Sequence, residues 1–349
     1  EITTVSPTYS HEIQTAYYGE RLDGLLRSRV EHLSGILNGI DVDEYNPATD
    51  PQIAVHYDAD TFEQKAADKR ALQEKLGLNV DESAPLIGMV GRLSGQKGLD
   101  LVERVLNEIM NTGAQMVVLG MGENRYVDLF SWAQWKYSGR FSANFQMNHA
   151  LAHQIYAGAD LFLMPSMFEP CGLSQMIALR YGTLPVVRET GGLRDTVLAY
   201  NEYTGEGNGF TFLNYNAHDM LHVIEQAVAM YRDKRDTFDH IARRAMCGLY
   251  GWDQSALKYI ELYRKLTGEA AERTVAETTP EAPAAEPTVD ASIPEPTAEA
   301  SATPKKRAPR RKAADGEAAP AKPRAKKATG ETAAKPRARK KKVEEPVGE

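Results

Sequence analysis

From Pro85 onward, short apolar runs at 86–90, 115–119, 141–145, 160–165 and 184–188 alternate with stretches of helical periodicity, and that rhythm leaves few folds open. Helices are predicted over 98–110, 123–136, 149–157 and 175–181, with Gly113 and Gly182 as stops. Strands that alternate with helices pack as a parallel sheet covered on both faces. The fold class is therefore α/β, a Rossmann-like doubly wound parallel sheet. Ligands of such sheets bind outside the carboxyl ends of the strands, which gathers the loops 91–98, 120–123 and 166–174 around one candidate site. Upstream, residues 58–76 read as a helix with Asp60 and Glu63 as a capping box and Gly77 as its stop. Downstream, a short helix from Gly192 and amphipathic helices over 217–231, 235–249 and 254–266 close the body.

The loop Phe168-Glu169-Pro170-Cys171-Gly172-Leu173-Ser174-Gln175 joins the run at 160–165 to its helix. Pro165 and Pro170 fix its course, and Gly172 lets the backbone come close to a ligand. The free N–H groups at the following helix start suit an anion. Glu169 stands beside them as a lone carboxylate. The expectation is a phosphate-bearing ligand with one acid aimed at its reacting part.

Gly91-Arg92-Leu93-Ser94-Gly95-Gln96-Lys97-Gly98 forms a second such loop. Arg92 and Lys97 flank a helix start, where the dipole and two cations act together on an anion. The spacing is not the Walker pattern. Gly120-Met121-Gly122 is half of a dinucleotide fingerprint and reads better as a tight strand-to-helix turn. Thr190-Gly191-Gly192 reads equally as another phosphate-facing turn or as Thr190 capping the next helix. Cys171 reads as a small, weakly polar residue beside the phosphate loop. A nucleophile role would need a base, and His149, His153 and His11 come without a third, orienting group. Asp41-Val42-Asp43 and Asp58-Ala59-Asp60 have the spacing of a metal-holding pair, but a turn and a helix cap explain them better. No metal is expected.

A chain of 349 residues with 42% hydrophobic content supports two domains. No apolar run approaches the roughly 20 residues of a membrane span, and no signal peptide is visible. Cys171 and Cys247 cannot build a disulfide framework, so the expectation is a cytoplasmic protein without a membrane contact. The net charge of −7 is unevenly spread. From Glu269 onward there are 17 Lys+Arg and 14 Asp+Glu, which leaves 24 basic and 34 acidic residues before it, a net of −10. That tail is acidic over 269–302, basic over 303–342 and free of aromatic residues. It is predicted to be disordered, and its basic part would suit an unidentified anionic partner, whether nucleic acid, an acidic surface or polyphosphate, or serve only as a solubilising appendage. The chain opens at Glu1 with the strand-like Ile2-Thr3-Thr4-Val5, as expected of a piece of a longer protein.

Taken together, Gly91-Arg92-Leu93 with Gln96-Lys97-Gly98, the block 168–175, Arg180-Tyr181-Gly182-Thr183-Leu184-Pro185 and Thr190-Gly191-Gly192-Leu193 resemble bacterial glycogen synthases and plant starch synthases. Thr4-Val5-Ser6-Pro7-Thr8-Tyr9 and Leu37-Asn38-Gly39-Ile40-Asp41 match the same family upstream, so the resemblance covers about residues 1–267. It implies the C-terminal domain of a GT-B fold. Residues 1–45 would be the end of the first domain and the crossing, 46–268 the nucleotide-sugar domain, and 269–349 the tail. It also implies retaining transfer of glucose from ADP-glucose to the non-reducing 4-hydroxyl of an α-1,4-glucan, without cofactor or metal.

In that reading Arg92 and Lys97 would grip the diphosphate and neutralise it as it leaves. Glu169 would hold the glucose hydroxyls, and the N–H groups of Cys171, Gly172, Leu173 and Ser174 would meet phosphate or sugar. Thr190 and Gly191 would line the donor site, Asn38 would reach glucose from the crossing strand, and Met147 would pack on adenine where other members place an aromatic. Ile177 stands eight positions after Glu169, where many GT-B enzymes have a second acid; starch-synthase-like members share this substitution. The Lys-x-Gly-Gly loop of the family's first domain is absent, since Glu189-Thr190-Gly191-Gly192 lacks the lysine. Alone, the chain is expected to bind ADP-glucose weakly and turn over little. The alternatives are another retaining GT-B transferase using a UDP- or GDP-sugar, and a non-catalytic nucleotide-sugar or glucan-binding module.

Overall fold

The computed structural model describes residues 1–268, and the expectations for the tail at 269–349 lie outside the described residues. The chain opens with β1 (Ile2–Thr4), α1 (Pro7–Glu12), α2 (Asp23–Arg27) and β2 (Leu33–Gly35). β1 pairs with β2 in parallel, so the strand expected at the start has a partner within the chain. After α3 (Lys65–Lys75) come β3 (Leu86–Val90), α4 (Leu99–Asn111), β4 (Gln115–Leu119), α5 (Asn124–Lys136) and β5 (Phe141–Asn144). Then follow α6 (His149–Gly158), β6 (Leu161–Met164), α7 (Ser174–Arg180), β7 (Leu184–Arg188), α8 (Gly191–Thr196) and β8 (Phe210–Phe212). The helices α9 (Ala217–Asp233), α10 (Arg235–Met246) and α11 (Trp252–Thr267) complete the body.

β3 to β8 form one six-stranded sheet in the order β5-β4-β3-β6-β7-β8, with every neighbouring pair parallel. The chain lays β4 and β5 outward from β3 and then crosses back to lay β6, β7 and β8 on the other side. The order therefore reverses between β3 and β6, and the crevice at such a switch point is where ligands bind in doubly wound sheets. Both faces are covered, which is why the central strands read as continuous apolar runs. Leu86, Ile87, Val117, Leu161 and Phe162 are buried, as are Val102, Val105 and Ile109 of α4 and Ile224 and Ala227 of α9. Among the described residues no helix is long and apolar enough to cross a membrane.

Two expectations change, and one strand is new. The capping box of Asp60 and Glu63 does not form. Instead the Asp58 carboxylate accepts from the N–H of Asp60 and from both the N–H and hydroxyl of Thr61, and a short 3-10 turn precedes α3. An Asp that bonds the backbone two residues ahead holds a turn rather than a helix start. The crossing strand, whose sequence pattern runs over residues 33–41, is shorter than expected: β2 ends at Gly35, and Ile40 makes only an isolated bridge to Gly251. β8 went unforeseen, because three residues give no periodicity to read.

Candidate active site

Two loops meet at the switch point, one after β3 and one after β6. Gly98 makes the meeting possible. Its φ is +71°, and a Cβ there would lie 1.9 Å from the Pro165 carbonyl oxygen, so only glycine lets the start of α4 approach the end of β6. Gln96 then ties the loops together. Its carbonyl accepts from the Met167 N–H at 2.9 Å, and its side-chain amide donates to the Phe168 carbonyl at 3.4 Å. The same side chain accepts from the Arg92 guanidinium at 3.1 Å, which holds this exposed cation over the crevice.

Lys97 reaches across to the acid. Its ammonium lies 2.6 Å from Glu169 Oε2, which also accepts from the Ser166 hydroxyl at 3.0 Å. Ser166 is fully buried and Glu169 nearly so, hence the carboxylate is fixed from two sides. Among the described residues both of its hydrogen bonds go to Oε2, which leaves Oε1 without a partner. A cavity of about 260 Å³ lies beside this pair, lined by Gly91, Arg92, Lys97, Pro165, Ser166 and Ser174 among others.

The turn at 120–122 is the wall of the first loop. A Cβ on Gly120 would stand 1.8 Å from the Gly91 carbonyl oxygen, and Leu93 exchanges backbone bonds with Met121 and Glu123. These glycines serve close backbone approach, which agrees with reading them as a tight turn.

Behind the second loop, Gly192 donates its N–H to the Glu169 carbonyl at 3.0 Å, while Gln175 donates to the carbonyls of Cys171 and Gly172 and to Thr196. The Cys171 thiol is buried; burial pushes its pKa up, against a smaller opposite pull from the Asn38 backbone beside it. Such a thiol stays protonated, which does not suit a nucleophile. Asn38 lines a neighbouring cavity with Asp195, Thr196 and Ser255 rather than the one at Lys97. Leu173 is half-exposed at the mouth of the loop. Met147, in the loop after β5, is 92% exposed and does not line the cavity.

The turn at Thr190 and Gly191 holds an anion, but one of the chain's own. Thr190 does not cap α8 with its side chain. Its hydroxyl and the Gly191 N–H both donate to Glu12 Oε1, at 2.9 and 3.0 Å. In return Asp195 of α8 accepts from the Ser6 hydroxyl and from the N–H and hydroxyl of Thr8 at the start of α1. The two short helices thus exchange acids, each carboxylate sitting at the positive end of the other helix. No sequence signal announces this exchange, whose partners lie 178 to 189 residues apart. Nor does one announce Ser166 or Gln96 as supports, since a loop serine three residues from an acid and a loop glutamine four residues from an arginine form no distinctive pattern. The Asp-x-Asp pairs are accounted for as turns. Asp41 accepts from the N–H groups of Asp43 and Glu44, and Asp58 holds the turn that precedes α3.

The family model described as Glycosyl transferases group 1 matches residues 69–245, and that described as Starch synthase catalytic domain matches residues 1–28. A glycogen synthase of Bacillus cereus strain B4264 is 54% identical over 266 residues, covering 76% of this chain and 56% of that protein. One of Geobacillus thermodenitrificans strain NG80-2 is 57% identical over 265 residues, covering 76% and 54%. The chain spans about half the length of the curated relatives it matches. The solved catalytic domain of Starch Synthase IV from Arabidopsis thaliana, bound to ADP and acarbose, superposes with a TM-score of 0.72 at 36% identity, over 76% of this chain and 55% of that one. A sucrose-phosphate synthase from Thermosynechococcus elongatus, 21% identical with a TM-score of 0.51, shares the fold over 77% of this chain and 58% of its own. The matched segment contains the whole switch-point crevice, with Arg92, Lys97 and Glu169, and the chain belongs to the group 1 glycosyl transferases.

Proposed function

We propose that this chain is the donor-binding part of a retaining glucosyltransferase that moves glucose from ADP-glucose to the non-reducing 4-hydroxyl of an α-1,4-glucan. The observation that carries this reading is the contact of Lys97 with Glu169, 2.6 Å apart at the switch point of the sheet. Support also comes from the relatives at 54 and 57% identity, which are glycogen synthases, and from the starch synthase whose structure holds ADP.

An ammonium has three donors, of which Glu169 takes one. The other two, with the Arg92 guanidinium, face the diphosphate. As the bond from the anomeric carbon to the phosphate oxygen breaks, negative charge grows on that oxygen, where fixed cations stabilise it most. The acceptor oxygen bonds to the anomeric carbon on the same face, and its proton passes to the departing phosphate. Glu169 orients the sugar through Oε1. The N–H groups of Cys171, Gly172, Leu173 and Ser174 meet phosphate or sugar, and Met147 packs on adenine. Asn38 is assigned to glucose, and Thr190 with Gly191 joins the donor site once Glu12 withdraws. No cofactor or metal is assigned to the chemistry. The glucan and the opposite wall are assigned to the further length that the relatives have. A reducing cytoplasm suits the two free cysteines, and an anionic partner suits the basic stretch at 303–342.

The test is donor competition in a protein extended to the relatives' length. ADP-glucose should be preferred, and Lys97→Ala and Glu169→Gln should each lower kcat/KM by about 10²- to 10³-fold with the circular dichroism spectrum unchanged. Preference for UDP-glucose would overturn the donor, and unchanged turnover in either variant would overturn the role assigned to that residue.

A further inference from the structure

A second cluster of chemically competent side chains lies outside the crevice, between α6 and the turn that follows the crossing segment. His149 and His153 are four residues apart on α6, so their rings share one face, with centroids 4.5 Å apart. His153 is 2% exposed. Its Nδ1 lies 2.7 Å from Asp50 Oδ2, the same oxygen to which Tyr181 donates its hydroxyl. A carboxylate at Nδ1 takes the ring proton there and leaves the lone pair on Nε2. That Nε2 is buried and has no partner among the described residues. Glu44, held by the Asp41 turn, places Oε1 3.1 Å from His149 Nε2. One ligand atom each from Glu44, His149 and His153 fall within 4.8 Å of one another.

We propose that Glu44, His149 and His153 bind a divalent transition metal, with zinc as the ion that two imidazoles and a carboxylate suit. Asp50 is the outer carboxylate that fixes the His153 tautomer, as such partners do for metal-ligating histidines. A water completes the tetrahedron. The separations must tighten on binding, and the side chains that move are the exposed ones: His149 is 63% and Glu44 46% exposed. The ion ties the turn after the crossing segment to α6. It fastens the crossing to the sheet domain and takes no part in the reaction at Lys97.

The test uses the full chain, freed of metal and titrated with Zn²⁺ and Co²⁺. One equivalent of Zn²⁺ should bind and raise Tm. Co²⁺ should give the visible bands of a four-coordinate site without a thiolate charge-transfer band. His149→Ala and Glu44→Gln alter exposed side chains, so the fold should persist by circular dichroism while Zn²⁺ affinity falls by about tenfold or more. Cys247→Ser should change nothing. Zn²⁺ affinity unmoved by both ligand variants, a thiolate band that disappears in Cys247→Ser, or no binding at all would overturn the proposal.

Discussion

α9 and α11 carry the same kind of apolar stripe and meet different fates. On α9, Met220, Ile224, Ala227, Val228 and Tyr231 are buried against the sheet and its neighbours. On α11, Leu257, Ile260, Tyr263 and Leu266 are 60, 44, 59 and 56% exposed, and Ser255 alone is buried. The start of the chain behaves like α11, with Tyr17, Leu22, Leu25 and Val30 open to solvent. A helical stripe says that a face is apolar; it does not say what covers it. Clustered exposure of this kind is typical of surfaces that meet a partner; here it runs along α11 and through residues 17–30, while other exposed side chains such as Trp135, Met147 and Tyr203 lie elsewhere on the molecule.

Truncating one aliphatic side chain on each helix should separate α9 from α11 most widely. Ile224→Ala on α9 should cost about 2–5 kcal/mol, the range for a buried aliphatic side chain whose neighbours cannot close the gap. Urea unfolding of the chain, with the slope unchanged, would measure it. A loss below about 0.5 kcal/mol would mean that α9 is held no better than a surface helix.

A pH series probes the buried side from another direction. Lys65 of α3 is buried and donates to the carbonyls of Tyr156 and Ala157 and to the Thr183 hydroxyl. Burial lowers its pKa from 10.5 to about 7, with Asp160 opposing the shift. Between those values the unfolded chain binds a proton that the folded chain does not. Stability should therefore rise with pH from about 7 toward 10.5, and the benefit is lost as pH falls through the lower value. Chemical unfolding at pH 7 and pH 9 should show this rise in the unaltered chain, and Lys65→Met should lack it. Parallel pH responses would mean that the three acceptors keep the ammonium charged.

Much of the sheet domain was legible because its signals are local. The run 184–188 is β7 to the residue, bounded by Gly182 and the acid at 189, and the helices at 124–136, 149–158 and 174–180 fall within two residues of their predicted bounds. The cations and acid of the crevice were legible for the same reason, since each sits where a strand feeds a helix. The exchange of acids between α1 and α8 escaped because it is non-local. Glu12 and Thr190 are 178 residues apart, and no spacing rule connects them. Ser166 reads as an ordinary loop serine until Glu169 is placed against it. The Asp60 capping box failed because Asp58, two residues earlier, had the better claim on the same backbone.

The contact of α1 with α8 is the seam between the two kinds of region. Asp195→Ala removes the acid from the start of α1 and leaves the Ser6 and Thr8 donors without their partner. The cost should be about 1–3 kcal/mol, the range for breaking charge-assisted hydrogen bonds. It should fall on α1 alone, as faster hydrogen exchange at Ser10 and Ile13 with β3 and β6 unaffected. Faster exchange throughout the sheet would show that the seam holds the domain rather than the segment.

The smallest effect is expected on α11. Leu257→Ala deletes a side chain that is 60% exposed, so little apolar area leaves or enters water on unfolding. In the chain as it stands the change should be within about 0.5 kcal/mol by urea unfolding, against the several expected for Ile224→Ala. In a protein extended to the relatives' length the same substitution should cost more, because the face would then be covered. The ratio of the two losses measures how much of the α11 stripe is covered. A loss of about 2 kcal/mol already in the shorter chain would mean that α11 is packed as α9 is, and the contrast between the two helices would not stand.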